Sequence, residues 1–550
     1  MKNQRSSIWT PLLFALTLAI GLFIGYRLQS NAPLLVSGGN EGVSGNGRVE
    51  ELLRYIEARY VDAPDTDELY EAAISAVIDE LDPHSSYIPA EQLQALNESM
   101  EGNFEGIGIE FLVVDDTITV VSTLPGGPSE TAGLMPGDQI IMVEDSMVTG
   151  VNEFNIDPAS LMRGVSNTDV SISVRRPGEP ELKGFTITRA PIPVYSVDAA
   201  YKLNDKTAYV KINRFSATTY DEFVKALEEQ MEKGGAEHLV IDLRDNPGGY
   251  LQQATKMLSQ LFPQKGELLV YTQGRNSRRV DYKTNGRAFY NIRDVAVLVD
   301  EGSASASEIL AGAVQDHDRG IIVGRRSFGK GLVQEQYPLS DGSALRLTVA
   351  RYYTPSGRSI QRSYDEGEEE YRGELNERFD SGELFDGEND SRDSSVIYYT
   401  DTGHPVFGGG GITPDYFVPL DTSLNNETFL RLRQEVPAYI FQYVRRHPEL
   451  KQFKTLDEYI ARFQPDLDEI IPGLTARAMV DYEGALEDMP ARLRPELSLF
   501  FRARLARQLF DGSAFFQVLN EEDPIVIEAL RLLEKDDPMA AARAKKGNGL

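Results

Sequence analysis

The chain has 550 residues and a formal net charge of −30. That length exceeds what one hydrophobic core usually supports, so several domains are expected. The acidity argues against a nucleic-acid partner, which needs clustered Lys and Arg. The absence of cysteine excludes disulfides, thiol nucleophiles and thiolate metal sites. The five histidines show no HExxH-like spacing, so no metal and no cofactor is expected.

Residues Ile8 to Tyr26 read IWTPLLFALTLAIGLFIGY and carry no charge. A run of about 20 apolar residues spans a bilayer. Lys2 and Arg5 precede it, so the positive-inside rule keeps the N-terminus cytoplasmic and sends the rest across. A cleaved signal peptide is the alternative, and either way the bulk is translocated. Residues 1–30 are therefore expected to be a cytoplasmic stub and transmembrane anchor, and 31–47 a linker rich in Gly, Ser and Asn.

Val49, Leu52, Leu53, Ile56 and Tyr60 share one helical face, and Ile74, Val77, Ile78 and Leu81 another. The spacing predicts a small helical domain over 48–92, with Pro83 ending the second helix. Residues 93–190 read as a β-rich unit of short strands. From 191 to 420 strands alternate with helices. The runs His238–Leu243, Val295–Val299 and Ile321–Val323 are continuously apolar or nearly so, as befits strands buried on both faces of an α/β sheet. Within this region lies an acidic insertion, 364–398. Its stretch Asp365 to Asp393 holds 13 Asp or Glu against Arg372, Arg378 and Arg392, contributing −10 of the −30. A solvated, mobile loop is expected there. Residues 421–550 read as a charged helical region.

Asp300-Glu301-Gly302-Ser303-Ala304-Ser305-Ala306-Ser307-Glu308 joins a buried strand to a helix. Serine at a helix N-terminus meets outward-pointing amides, which can hold an oxyanion. Ser305-x-x-Glu308 equally fits a capping box, a commoner use of such a serine. A base is required. His317 lies twelve residues on, about three turns along the same helix, and does not easily reach back. Lys330 follows the strand Ile321–Val323 in a Gly-flanked turn, and burial would keep it neutral enough to act. Asp242-Leu243-Arg244-Asp245-Asn246-Pro247-Gly248-Gly249 ends another buried strand, and its glycines allow close backbone approach.

These segments, with Leu81-Asp82-Pro83-His84-Ser85, Gly106-Ile107-Gly108-Ile109, Gly137-Asp138 and Phe328-Gly329-Lys330-Gly331-Leu332-Val333-Gln334, resemble the C-terminal processing, or tail-specific, peptidases over roughly residues 50–420. That resemblance implies a crotonase-like α/β protease core with an inserted PDZ domain. It implies Ser305 as nucleophile, Lys330 as general base and Gln334 as the residue that orients the lysine. The oxyanion donors are implied to be the amide of Ala306 and that of Gly248 or Gly249. Asp316 is an accessory candidate, because an aspartate of that helix is implicated in some members. Gly106, Ile107, Gly108 and Ile109 resemble the loop and edge strand that capture a peptide carboxylate. The expected substrates are polypeptides with free C-termini. The expected location is the bacterial inner membrane with the catalytic part in the periplasm, or the periplasm itself if the N-terminal segment is cleaved. Self-association is left open. The rival reading is an inactive PDZ-containing scaffold.

Overall fold

The computed structural model describes residues 47–544, apart from 153, 155, 156, 388–395, 422–425, 489, 491 and 492. The apolar run Ile8–Tyr26 lies outside the described residues. Among the described residues no helix is long and apolar enough to cross a membrane.

Among the described residues, those up to 74 and those from 75 onward form two units. In the first, the helix Arg48–Arg59 carries Glu50 and Glu51 in its first turn and Arg59 in its last, the order its dipole favours. Leu53 is buried, whereas Val49, Leu52 and Tyr55 are exposed.

The second unit is organised by a six-stranded sheet. Its order is Val197–Lys202, Thr207–Ile212, His238–Asp242, Val295–Val299, Ile321–Gly324, Tyr416–Phe417. The first pair is antiparallel and the remaining pairs are parallel. Strand side chains alternate between faces. Leu239, Ile241, Val295, Val297 and Val299 therefore pack on the helices Leu251–Leu261 and Ala306–Asp316. Val240, Ala296, Leu298 and Val323 point the other way and meet Ile525, Val526, Leu532 and Leu533 of the helix Pro524–Leu533. The far C-terminal chain thus closes the second face of the sheet.

A second, five-stranded sheet carries Ser86–Ile88, Ala344–Tyr353, Lys265–Gln273 and Val280–Asn285, with Leu332–Pro338 also paired to Ala344–Tyr353. This pairing sets the Asp82–Ser85 turn beside Gln334, because Ser86 lies opposite Arg346 and Gln334 opposite Thr348. The β-rich unit is an antiparallel sheet of Ile109–Val114, Thr117–Thr123, Gln139–Val143, Asp169–Arg175 and Leu182–Thr188, with Ser146–Met147 at its side. It closes over Ile118, Val120, Ile140, Val170 and Ile172. Asn103–Gly106 and Ala190–Pro193 pair antiparallel as its stem. Beyond 426, the helices Glu427–Arg446, Leu467–Ala478 and Leu493–Leu509 share a core of their own.

The acidic insertion departs from expectation. Its described part folds into helices Glu368–Asp380 and Glu383–Asp386, with Tyr371, Arg378, Glu383 and Leu384 buried; residues 388–395 of the expected loop lie outside the described residues. Arg326 and Arg362, from outside the stretch, pair with its acids, which is what its composition alone conceals.

Candidate active site

The strand Val295–Val299 ends in a turn that delivers Ser305 to the N-cap of the helix Ala306–Asp316. Ser305 has φ 55° and ψ −112°, a strained conformation for a residue with a Cβ. The surroundings hold it there. Ser303 Oγ donates to Leu243 O at 2.8 Å, Ala304 N to Asn246 O at 2.9 Å and Ser307 Oγ to the same carbonyl at 2.9 Å. The serine turn and the Asp242–Gly249 turn are therefore interlocked. A Cβ on Gly248 would lie 2.7 Å from Ala304 O and from Ser305 Cβ, so only glycine admits this approach. Asn246 Oδ1 accepts the Gly248 amide at 2.8 Å. The amides of Gly249 and Ala306 donate to no acceptor among the described residues.

Lys330 sits in the turn before the strand Leu332–Pro338. Its Nζ donates to Gln334 Oε1 at 3.0 Å. Burial first, and then the charge of Arg346, push the ammonium below its ordinary value, while Asp82 and Glu308 pull it back. The side chains of Ser305 and Lys330 do not hydrogen-bond to each other in this structure.

Two buried residues join the Ser305 and Lys330 backbones. Glu308 Oε2 accepts from Ser305 N at 2.8 Å and from Lys330 N at 2.9 Å, while Oε1 accepts from Ser327 Oγ at 2.6 Å and Gly329 N at 2.7 Å. Burial lifts this carboxyl to about 7, although all four donors oppose the rise. The Tyr352 hydroxyl lies 3.0 Å from Ser305 O and also bonds Lys330 O. Sequence reasoning reads Glu308 only as a helix cap and does not find Tyr352. The capping-box spacing was the available signal for the first; the second had none.

Gln334 is held in turn, its Nε2 donating to the main-chain carbonyl of His84. Burial and the Lys330 charge lower the His84 imidazole to about 4, so it is neutral near pH 7. Asp82 fixes this turn by accepting from His84 N and Ser85 N, each at 2.9 Å.

The remaining candidates lie apart from this cluster. Asp316, at the far end of the serine helix, pairs with Arg358 at 2.8 Å and accepts from Ser356 N at 3.0 Å. His317 bonds Asp401 at 2.8 Å and Leu268 O at 2.6 Å. In the β-rich unit, Ile107, Gly108 and Ile109 line a groove with Phe104, Phe111 and Met162. The amides of Ile107 and Gly108 donate to no acceptor among the described residues. Gly108 has φ 73°, which favours glycine there.

Comparison with known proteins agrees with the resemblance. The sequence profile of Peptidase family S41 matches residues 206–367, ending just before the helix Glu368–Asp380. A carboxy-terminal-processing protease of Bartonella bacilliformis is 38% identical over 322 residues, 57% of this chain and 72% of that protein. The carboxy-terminal processing protease CtpB of Bacillus subtilis is 37% identical over 322 residues, 57% of this chain and 65% of that protein. Among solved structures, a photosystem II D1 C-terminal processing protease is 29% identical, covering 58% of this chain and 90% of its own, with a TM-score of 0.32. The chain belongs to the carboxy-terminal-processing proteases of peptidase family S41 and is a serine endopeptidase.

Proposed function

We propose that the protein hydrolyses polypeptides near their free C-termini, with Ser305 as nucleophile and Lys330 as general base on a crotonase-like core. The observation that carries this reading is the shared carboxylate of Glu308. It bonds the Ser305 and Lys330 amides at 2.8 and 2.9 Å and so fixes the two backbones to one another. Neutral Lys330 Nζ takes the Ser305 Oγ proton as Oγ attacks the scissile carbonyl. The tetrahedral oxyanion is held by the amides of Ala306 and Gly249. Gly249 is favoured over Gly248 because Asn246 already occupies the Gly248 amide. The lysine then protonates the departing amine, leaving an acyl ester on Ser305. Water, deprotonated by the same lysine, hydrolyses that ester. Gln334 keeps the lysine aimed through its 3.0 Å bond. The side chain of Asp316 is engaged with Arg358, which argues against a direct accessory role.

The β-rich unit acts as a PDZ domain, adding the substrate tail beside the edge strand Ile109–Val114 and holding its carboxylate with the unengaged amides of Ile107 and Gly108 in the Gly106–Ile109 loop. An anchor at Ile8–Tyr26 holds the enzyme to the bacterial inner membrane with this machinery in the periplasm, on the charge bias around that segment.

The test is mass spectrometry of the products from an unstructured protein with a free or an amidated C-terminus. Faster cleavage of the free form, abolished by Ser305→Ala, is expected. Equal cleavage of both forms would refute tail capture.

A further inference from the structure

We infer that the acidic insertion is a clamp that positions the lysine, acting on its turn from two sides through Tyr371 and through Glu374, Arg378 and Glu383. This rests on the assignment of Lys330 as the base.

The first route runs through side chains. The Tyr371 hydroxyl lies 2.7 Å from His84 Nε2, His84 O accepts from Gln334 Nε2, and Gln334 Oε1 accepts from Lys330 Nζ at 3.0 Å. Tyr371 also stands edge-on to His84, with ring centroids 5.2 Å apart, and is 5% exposed. A single hydroxyl from the insertion is thus three bonded steps from the lysine nitrogen.

The second route runs through the backbone entering the turn. Arg378 Nη2 donates to Arg326 O at 2.7 Å. Glu383 accepts from Arg326 Nε and Nη2, each at 2.8 Å, and from Arg378 Nε at 3.0 Å. Glu374 pairs with both Arg326 and Arg362. Arg362 covers Phe328 at 4.1 Å and Tyr371 at 3.8 Å, and its amide donates to Gly329 O at 3.0 Å. Arg326 and Arg378 are each 3% exposed, so these charges are tolerable only while paired. Phe328 and Gly329, which immediately precede Lys330, are therefore gripped by the insertion's ion network.

Tyr371, Glu374 and Arg378 stand at i, i+3 and i+7, one face of the helix Glu368–Asp380. The opposite face carries exposed Glu369, Asn376 and Asp380. The inward face is built to touch the lysine turn and the outward face to meet water.

The test uses the full-length enzyme and a fluorogenic peptide. Tyr371→Phe removes the hydroxyl alone. It is expected to lower kcat by about tenfold with KM unchanged and cooperative melting retained, since misplacing a catalytic group costs rate rather than binding. In a Gln334→Ala background the same change should have no further effect, because the route to the lysine is already cut. Glu369→Gln, on the outward face, should behave as wild type. Unchanged kcat in Tyr371→Phe, or a full additional loss in the Gln334→Ala background, overturns the clamp. Lys330→Ala, run in parallel, separates the two ideas: activity surviving that change would overturn the assignment of the base itself.

Discussion

Glu308 accepts the amide of Ser305 with the same oxygen that accepts the amide of Lys330, at 2.8 and 2.9 Å. A fully buried carboxylate with four donors is a costly group to place, and it sits between the two residues assigned to the chemistry.

Replacing it should affect both stability and rate. In Glu308→Gln the amide nitrogen must face one donor pair, so at least two buried N–H or O–H groups lose their acceptor. That costs about 1–3 kcal/mol for each group. The pH dependence should change as well. The folded carboxyl titrates near 7 and its ordinary value is 4.5. Between these values the folded state keeps a proton that the unfolded state releases, so this group makes stability fall as pH rises, by about 3 kcal/mol in all. Denaturant titrations from pH 4 to 8 should show that component in the wild type and not in Glu308→Gln. An identical slope in both proteins would assign the pH dependence elsewhere.

Lysine and histidine give opposite expectations. Lys330→Ala should reduce peptide hydrolysis by at least about 100-fold, the scale of a lost general base. His317→Ala should leave it nearly intact, since His317 is engaged with Asp401 and Leu268 O. The reverse pattern in steady-state kinetics would remove Lys330 from the mechanism.

Two glycines separate conformational cost from close approach. Gly178 has φ 91° and open space where a Cβ would stand, so Gly178→Ala should cost about 1 kcal/mol and spare activity. Gly248 has φ 98° and would drive a Cβ to 2.7 Å from Ala304 O. Gly248→Ala should therefore displace the serine turn and abolish turnover. Thermal melts and kcat for the pair check this, and an active Gly248→Ala enzyme would contradict the interlocked turns.

Deleting residues 521–550 should prevent stable folding. The helix Pro524–Leu533 buries Ile525, Val526, Leu532 and Leu533 on the sheet. Each such side chain is worth about 1.5–3 kcal/mol, and together they rival the whole stability of a domain. The deletion also removes Asp523, which pairs with Arg244 at 2.7 Å. A soluble, cooperatively melting truncated protein would show that this face needs no cover.

The parallel strands were legible because Val295–Val299 is apolar at every position and its neighbours nearly so, the mark of burial on both faces. What covers the second face was not, since periodicity shows that a helix such as Pro524–Leu533 has an apolar side without saying where it docks. Ser305, Lys330 and Gln334 came from motif resemblance, and the structure brings Lys330 and Gln334 into contact. Tyr352 was hidden because its hydroxyl bonds carbonyls more than twenty residues away in sequence. The insertion misled because its inward face is charged: Glu374 and Arg378 look solvated until Arg326 and Arg362 arrive from elsewhere in the chain.

Whether Lys330 activates Ser305 is decided by covalent labelling. The enzyme is treated with a fluorophosphonate, digested with trypsin and mapped by fragment-ion mass spectrometry. The peptide Asp294–Arg319 contains Ser303, Ser305 and Ser307, and fragment ions tell them apart. The adduct is expected on Ser305, formed quickly in the wild type and at least about 100-fold more slowly in Lys330→Ala. An adduct on another serine, or equal labelling rates in the two proteins, would contradict activation of Ser305 by Lys330.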